Sequence, residues 1–375
     1  MKPSRTVFPL LAFVGLLRIS WWFIAGGRSG DSDGGATSAE RERPKSNQLA
    51  VPEQPGSRTD DELSAGRSGR GDGGASPRKT FANLLPNGRT SGQISRPVIE
   101  AFLAGANRSA KSLLTAFRES GDRSYLNEAA ANFPGDPRVQ VAMITDPERR
   151  AERDQWIAAL QKSDPDNALG DYFAALAAYQ RGDEEGATQQ LANAAGKTAF
   201  AEYLWDVADE LERLYLSGGL PPAEAKAMAM FSIPLPHLAE MRELGAQMQA
   251  TQTALRNTGD IQRANDLLAI HLQLGRTLSA EAAPTLIHRL VGMVIERQAI
   301  ESAPADAISA VMDSTGSERL AELRAMREDI LASSKAVDIT SADVSDHDIV
   351  RYFDLVRGEG ELAALKWLAQ LTGKP

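Results

Sequence analysis

The sequence predicts an all-α fold for everything beyond about residue 95, and three observations support it. Apolar residues recur there at spacings of three and four, as in Leu169, Tyr172, Phe173, Leu176 and Tyr179, which sets them on one helical face. Gly-Asp and Asp-Pro steps divide the chain into segments of 10–23 residues, ending one helix and starting the next. No stretch alternates polar and apolar residues over a strand length, and runs of Val and Ile are scarce.

The N-terminus reads as a membrane address. Val7 to Gly27, VFPLLAFVGLLRISWWFIAGG, follows Lys2 and Arg5, and its 21 residues would rise about 31 Å as a helix, a bilayer's hydrocarbon thickness. Arg18 costs about 2.5–3.5 kcal/mol near the helix centre, which the eleven Leu, Ile, Val and Phe side chains outweigh at about 0.3–0.6 kcal/mol each. Trp21 and Trp22 suit the far interface, and the two leading basic residues hold the N-terminus in the cytoplasm. Residues 1–27 are therefore expected to be a single-pass signal anchor in the cytoplasmic membrane, with the rest of the chain exported. Cleavage near Ala25-Gly26-Gly27, releasing the chain to the periplasm, is the alternative.

Residues 28–95 are rich in Gly, Ser, Arg and Asp, as in RSGRGDGGASPRKT, and nearly lack large apolar side chains. Such a segment buries too little surface to offset its backbone entropy and is expected to be a disordered linker. As a flexible coil it would span about 45 Å.

Beyond it the helices follow in order. Gly121-Asp122 separates helices near 109–120 and 123–133, which Phe133-Pro134-Gly135-Asp136-Pro137 closes. Residues 138–162 form another hairpin running into Asp164-Pro165, and Gly182-Asp183 separates a helix beginning near Leu169 from Glu184–Ala195. In 200–235 a Gly- and Pro-bearing loop, Ser217 to Glu224, leads into a helix with Pro at its start. Gly259-Asp260 joins longer helices at about 236–257 and 261–278, and helices near 282–299, 304–313 and 317–334 follow. The last hairpin runs from Ser345 to Val356 and from Glu361 to Leu371, with Ser345 and Asp346 as candidate caps and Trp367 in its core.

The unit from Asp164 to Ala195 resembles a tetratricopeptide repeat. Its Asp164-Pro165 boundary, its Gly182-Asp183 turn, and Ala187, Leu191 and Ala194 of its second helix fall at that family's spacing. In its first helix Ala175 takes the small position, but Asp171 rather than Tyr172 takes the large one. The likeness covers 105–200, with 236–278 echoing it through Ala264 and Leu268. It implies a right-handed stack of αα hairpins whose first helices line a concave face. Tyr172 and Tyr179 would then be candidate protein contacts, or else packing residues. The chain also resembles uncharacterised exported helical proteins of planctomycete- and verrucomicrobia-type bacteria, a likeness that carries no activity. The expected organisation is hairpins over 96–200 and further hairpins over 201–375, read either as a second unit or as one continuous domain.

Composition excludes several functions. Residues 96–375 hold 28 basic and 41 acidic groups, a net charge of -13 that repels phosphate backbones, so no nucleic-acid partner is expected. With no cysteine there is no disulfide, thiolate metal site or cysteine nucleophile. The four histidines, His237, His271, His288 and His347, show no i, i+4 or HExxH relation, although His271 and His288 lie on adjacent predicted helices. No nucleophile elbow, phosphate loop or dinucleotide fingerprint occurs, and acids such as Glu184-Glu185 and Asp209-Glu210-Glu212 are expected on solvated faces. No catalytic, cofactor or metal residue is expected. The functional expectation is a membrane-tethered scaffold that binds a protein partner in the cell envelope and is not an enzyme. The alternatives are an all-helical envelope enzyme, such as a carbohydrate-active one using a carboxylate pair, or a purely structural spacer.

Overall fold

The computed structural model describes residues 79–80, 94–233, 235–281, 283–337 and 343–372. The expected anchor, and all of the expected linker except 79–80 and its last two residues, lie outside these. Among the described residues no helix is long and apolar enough to cross a membrane.

The fold is all-α. Sixteen α-helices follow one another among the described residues: α1 Arg96–Gly105, α2 Ala110–Ser120, α3 Arg123–Asn132, α4 Pro137–Thr145, α5 Arg153–Ser163, α6 Leu169–Gln180, α7 Glu184–Ala195 and α8 Leu204–Ser217. Then come α9 Pro222–Phe231, α10 Pro236–Asn257, α11 Ile261–Ser279, α12 Leu286–Ser302, α13 Ala305–Val311, α14 Gly316–Ala336, α15 Asp346–Glu359 and α16 Glu361–Leu371. A 3-10 turn, Pro147–Glu152, precedes α5. Chain neighbours pack together: α2 on α3, α4 on α5, α6 on α7, α8 on α9, α10 on α11, α11 on α12 and α15 on α16.

The turns follow from local chemistry. Gly121, Gly182 and Gly259 adopt φ of 70, 75 and 83°, the left-handed region open to glycine. The Asp after each then caps the next helix, its carboxylate accepting from the N–H of Ser124, Gly186 and Arg263 respectively. α12 begins at Leu286, four residues later than the periodicity suggests, because Thr285 caps it immediately after Pro284. Ser345 caps α15 in a capping box with Asp348.

In the α6–α7 unit Ala187, Leu191 and Ala194 are fully buried, as the spacing predicts. α6 is itself buried on nearly every side, wedged against α5, α7 and α10. One large core runs from Ile94 to Ile295, a second joins α9 to α15 and α16, and a third joins α11 and α12 to α13 and α14.

Two features were not expected. Lys79–Thr80, inside the expected linker, pairs antiparallel with Asp343–Val344, Lys79 opposite Val344. The pairing of α11 with α12 also rests on two glycines. A Cβ on Gly292 would stand 2.4 Å from the Ser279 nitrogen and 2.5 Å from the Gly275 carbonyl oxygen, and one on Gly275 would stand 2.7 Å from the Glu296 nitrogen. The clashing atoms are backbone, so neither helix can yield by a side-chain rotation. Gly292→Ala is therefore expected to lower unfolding free energy by about 3 kcal/mol, the upper range for overpacking, measured by urea denaturation. A loss below about 1 kcal/mol would show that the helices can separate freely.

Candidate functional site

The site is built on a loop and two helix starts. The loop is the Ala199–Tyr203 stretch between α7 and α8, and a buried asparagine clamps it. Asn167 Nδ2 donates to the Ala201 carbonyl at 2.9 Å and to Asp164 Oδ2 at 3.0 Å, while Oδ1 accepts from the N–H groups of Ala201 at 3.0 Å and Leu169 at 3.1 Å. The Ala168 N–H reaches the Ala199 carbonyl at 2.9 Å. Tyr203 takes a left-handed φ of 57° and its hydroxyl is tied to Asp164. Glu202 is thus held between two anchored neighbours.

Its carboxylate meets two imidazoles. His237 Nε2 lies 2.5 Å from Glu202 Oε1, and His288 Nε2 lies 2.9 Å from Oε2. The rings of His237 and His288 are 6.2 Å apart between centroids. The side chains of Glu202, His237 and His288 are only 7, 8 and 1 % exposed. His288 Nδ1 is 2.8 Å from Oγ1 of Thr285, the α12 cap, which fixes the ring from behind.

The topology explains the meeting. α10 and α11 form a hairpin, and α12 turns back along α11, so α10 and α12 run parallel with their first turns at the same end. His237 is the second residue of α10 and His288 the third of α12. Both N-termini present positive dipole ends to the Glu202 anion. Burial works against the ionised carboxyl, but the hydrogen bonds to His237 and His288 outweigh it and bring its pKa to about 2.

Glu202 and His237 line a cleft of about 260 Å³ that Phe117, Val141 and Ile233 also wall, while His288 stands behind. Two guanidinium groups reach it. Arg123 is neutralised by Asp146, with Nη2 to Oδ1 at 3.0 Å, and by Glu148. Arg118 is half-buried and has no acidic partner among the described residues, and partial desolvation brings its pKa down to about 10. It stays charged at neutral pH.

The other histidines stand apart. His271, on α11, is fully buried with Nδ1 3.0 Å from Gln252 Nε2, and its Nε2 has no partner. His271 and His288 do lie on adjacent helices, but His288 is joined with His237 through Glu202. His347 is exposed at the start of α15. Tyr172 and Tyr179 lie in the core at 2 and 9 % exposure, the Tyr172 ring packing 6.1 Å from that of Phe200. Glu184 and Glu185 are exposed, but Glu210 is not on a solvated face: it is buried and paired with Arg213 at 2.7 Å.

No protein-family model, curated protein or solved structure matches the chain.

Two measurements probe this region. Tyr172→Ala is expected to cost about 3 kcal/mol of stability, as for other buried aromatics, and a much smaller loss would free that ring for a contact role. His271 is held neutral by burial, its pKa lowered to about 4. The unfolded chain therefore binds the extra proton first, and stability falls as pH drops from about 6.5 towards 4, by on the order of 3 kcal/mol. His271→Gln should flatten that slope in urea titrations across the same window; an unchanged slope would assign it to other groups.

Proposed function

We propose that the helical domain is a protein-binding module, a tetratricopeptide-like stack of hairpins held at the cytoplasmic membrane by its N-terminal segment. It faces the cell envelope and takes an acidic group of a protein partner into the Arg118 cleft. The pairing of successive helices and the buried Ala187, Leu191 and Ala194 of the α6–α7 unit support the repeat-like reading.

Arg118 is the observation that carries it. A half-buried guanidinium with no acidic partner is open to an incoming carboxylate or phosphate, which it can meet with charge-assisted hydrogen bonds. Its neighbour Arg123 already has Asp146 and Glu148, so the free charge in the cleft is Arg118 alone among the described residues. The net charge of -13 over 96–375 repels acidic partners in general, which makes a local cation in a walled cleft selective for one placed group.

A second reading, an all-helical envelope enzyme, draws on the imidazole–carboxylate pair at the cleft floor. In its carbohydrate-active form it has less support. Glycoside hydrolysis needs one carboxyl with a raised pKa. The two carboxyls lining the cleft, Asp146 and Glu202, are both held below the usual range, despite burial, by Arg123 and by the two histidines.

The test places a photo-crosslinking residue at Thr145, on the cleft wall, in the full chain in cells. A defined adduct is expected, falling about 10- to 100-fold in Arg118→Gln at unchanged melting temperature, the range for losing a charge-assisted hydrogen bond. An adduct of equal yield in Arg118→Gln would remove the cleft from the proposal.

A further inference from the structure

We infer that Glu202, His237 and His288 form a binding site for one divalent transition-metal ion, with a coordination position open to the cleft. Neither the scaffold reading nor its cleft ligand is needed for this.

The donor set is the first ground. Two imidazoles and one carboxylate are the ligands that Zn2+ and its neighbours take when one position is left for water or substrate. Each residue offers one ligand atom, and the three atoms lie within 4.8 Å of one another. Bonds of about 2.0–2.1 Å in tetrahedral geometry require ligand atoms about 3.3 Å apart. The present contacts of 2.5 and 2.9 Å, made to different carboxylate oxygens, need to open by less than about 1 Å, and the ligand atoms farthest apart need to close by at most about 1.5 Å, a side-chain adjustment rather than a change of fold.

Support behind the ligands is the second ground. A metal-binding histidine commonly has its other ring nitrogen fixed by a hydrogen-bonding group, and Thr285 Oγ1 stands 2.8 Å from His288 Nδ1. Asn167 does the same for the carboxylate by holding Ala201, the residue before Glu202, through two backbone hydrogen bonds.

Charge is the third. Two other buried carboxylates in the fold have permanent cations beside them: Glu296 has Arg276 at 3.1 Å and Arg319 at 2.8 Å, and Asp171 has Lys197. Glu202 has only imidazoles, which are neutral when they act as ligands. A divalent ion supplies the missing charge. The dipoles of α10 and α12 and the guanidinium of Arg118 oppose a cation, but they act at a distance, whereas the ion exchanges its water for three direct bonds.

Access is the fourth. Glu202 and His237 line the cleft, so an ion can enter from it.

The test uses the untagged full chain in detergent, stripped with chelator and titrated with Co2+, then Zn2+. One Co2+ per chain is expected, with the visible absorption of a four-coordinate site, displaced by one Zn2+. Long-range 1H–15N spectra should show the ring nitrogens of His237 and His288 shifting with Zn2+ while those of His271 and His347 stay in place. Glu202→Gln and His288→Gln should each weaken binding by at least about 100-fold, and Thr285→Val by about 10- to 100-fold. Circular dichroism checks that the variants are folded. Absence of Co2+ absorption in the wild-type chain would overturn the proposal and leave the cluster a hydrogen-bonded joint. So would zinc shifts confined to other histidines. These wild-type readouts decide the matter even if a variant fails to fold.

Discussion

An ionised carboxylate cannot sit inside a helical core without donors aimed at it, and the middle of this fold is arranged around that requirement at Glu202. Its two oxygens need partners from different directions, and they come from the first turns of α10 and α12. The loop bearing Glu202 therefore has to lie across both helix starts, and Asn167 holds it there from the α5–α6 turn. Hairpins on either side of Glu202 are thereby fixed relative to one another, a task that apolar packing performs with much less directional control.

The same device recurs with other partners. Glu119 accepts from the Ile94 N–H at 3.1 Å and the Tyr215 hydroxyl at 2.8 Å, joining the start of the domain to α8. Glu296 joins α11 to α14 through Arg276 and Arg319, and Glu361 accepts from the Leu286 N–H at 2.7 Å, joining α16 to the start of α12. Each of these acids comes from a helix and reaches a different element. Removal of one partner from such a joint leaves a buried charge uncompensated, so these positions tolerate less change than the alanine- and leucine-rich faces around them.

The helices were legible because their ends are decided locally. A glycine that accepts positive φ followed by an aspartate that caps the next helix works with no information from elsewhere in the chain, and Gly121, Gly182 and Gly259 all behave so. The hydrophobic spacing likewise placed Ala187, Leu191 and Ala194 inward. The site was not legible in this way. Glu202 and His237 are 35 residues apart and Glu202 and His288 are 86 apart, so no ligand spacing within one helix marks them. The available signal was topological: in successive antiparallel helices, first turns coincide at every second helix. Pro236-His237 and Thr285 to His288 are both first-turn sequences two helices apart. Glu202 gave less warning, because its placement depends on a loop clamped by one asparagine. Gly275 and Gly292 also read as ordinary helix interior, since closeness of approach depends on which faces meet.

The two-residue ladder between Lys79–Thr80 and Asp343–Val344 alters how the domain would respond to mechanical load. A pull from upstream of Lys79 does not arrive first at α1. It arrives between α14 and α15, at the far end of the sequence, through a clip of two residue pairs. The clip stands in the line of force as a fuse, loaded together with the segment that precedes α15.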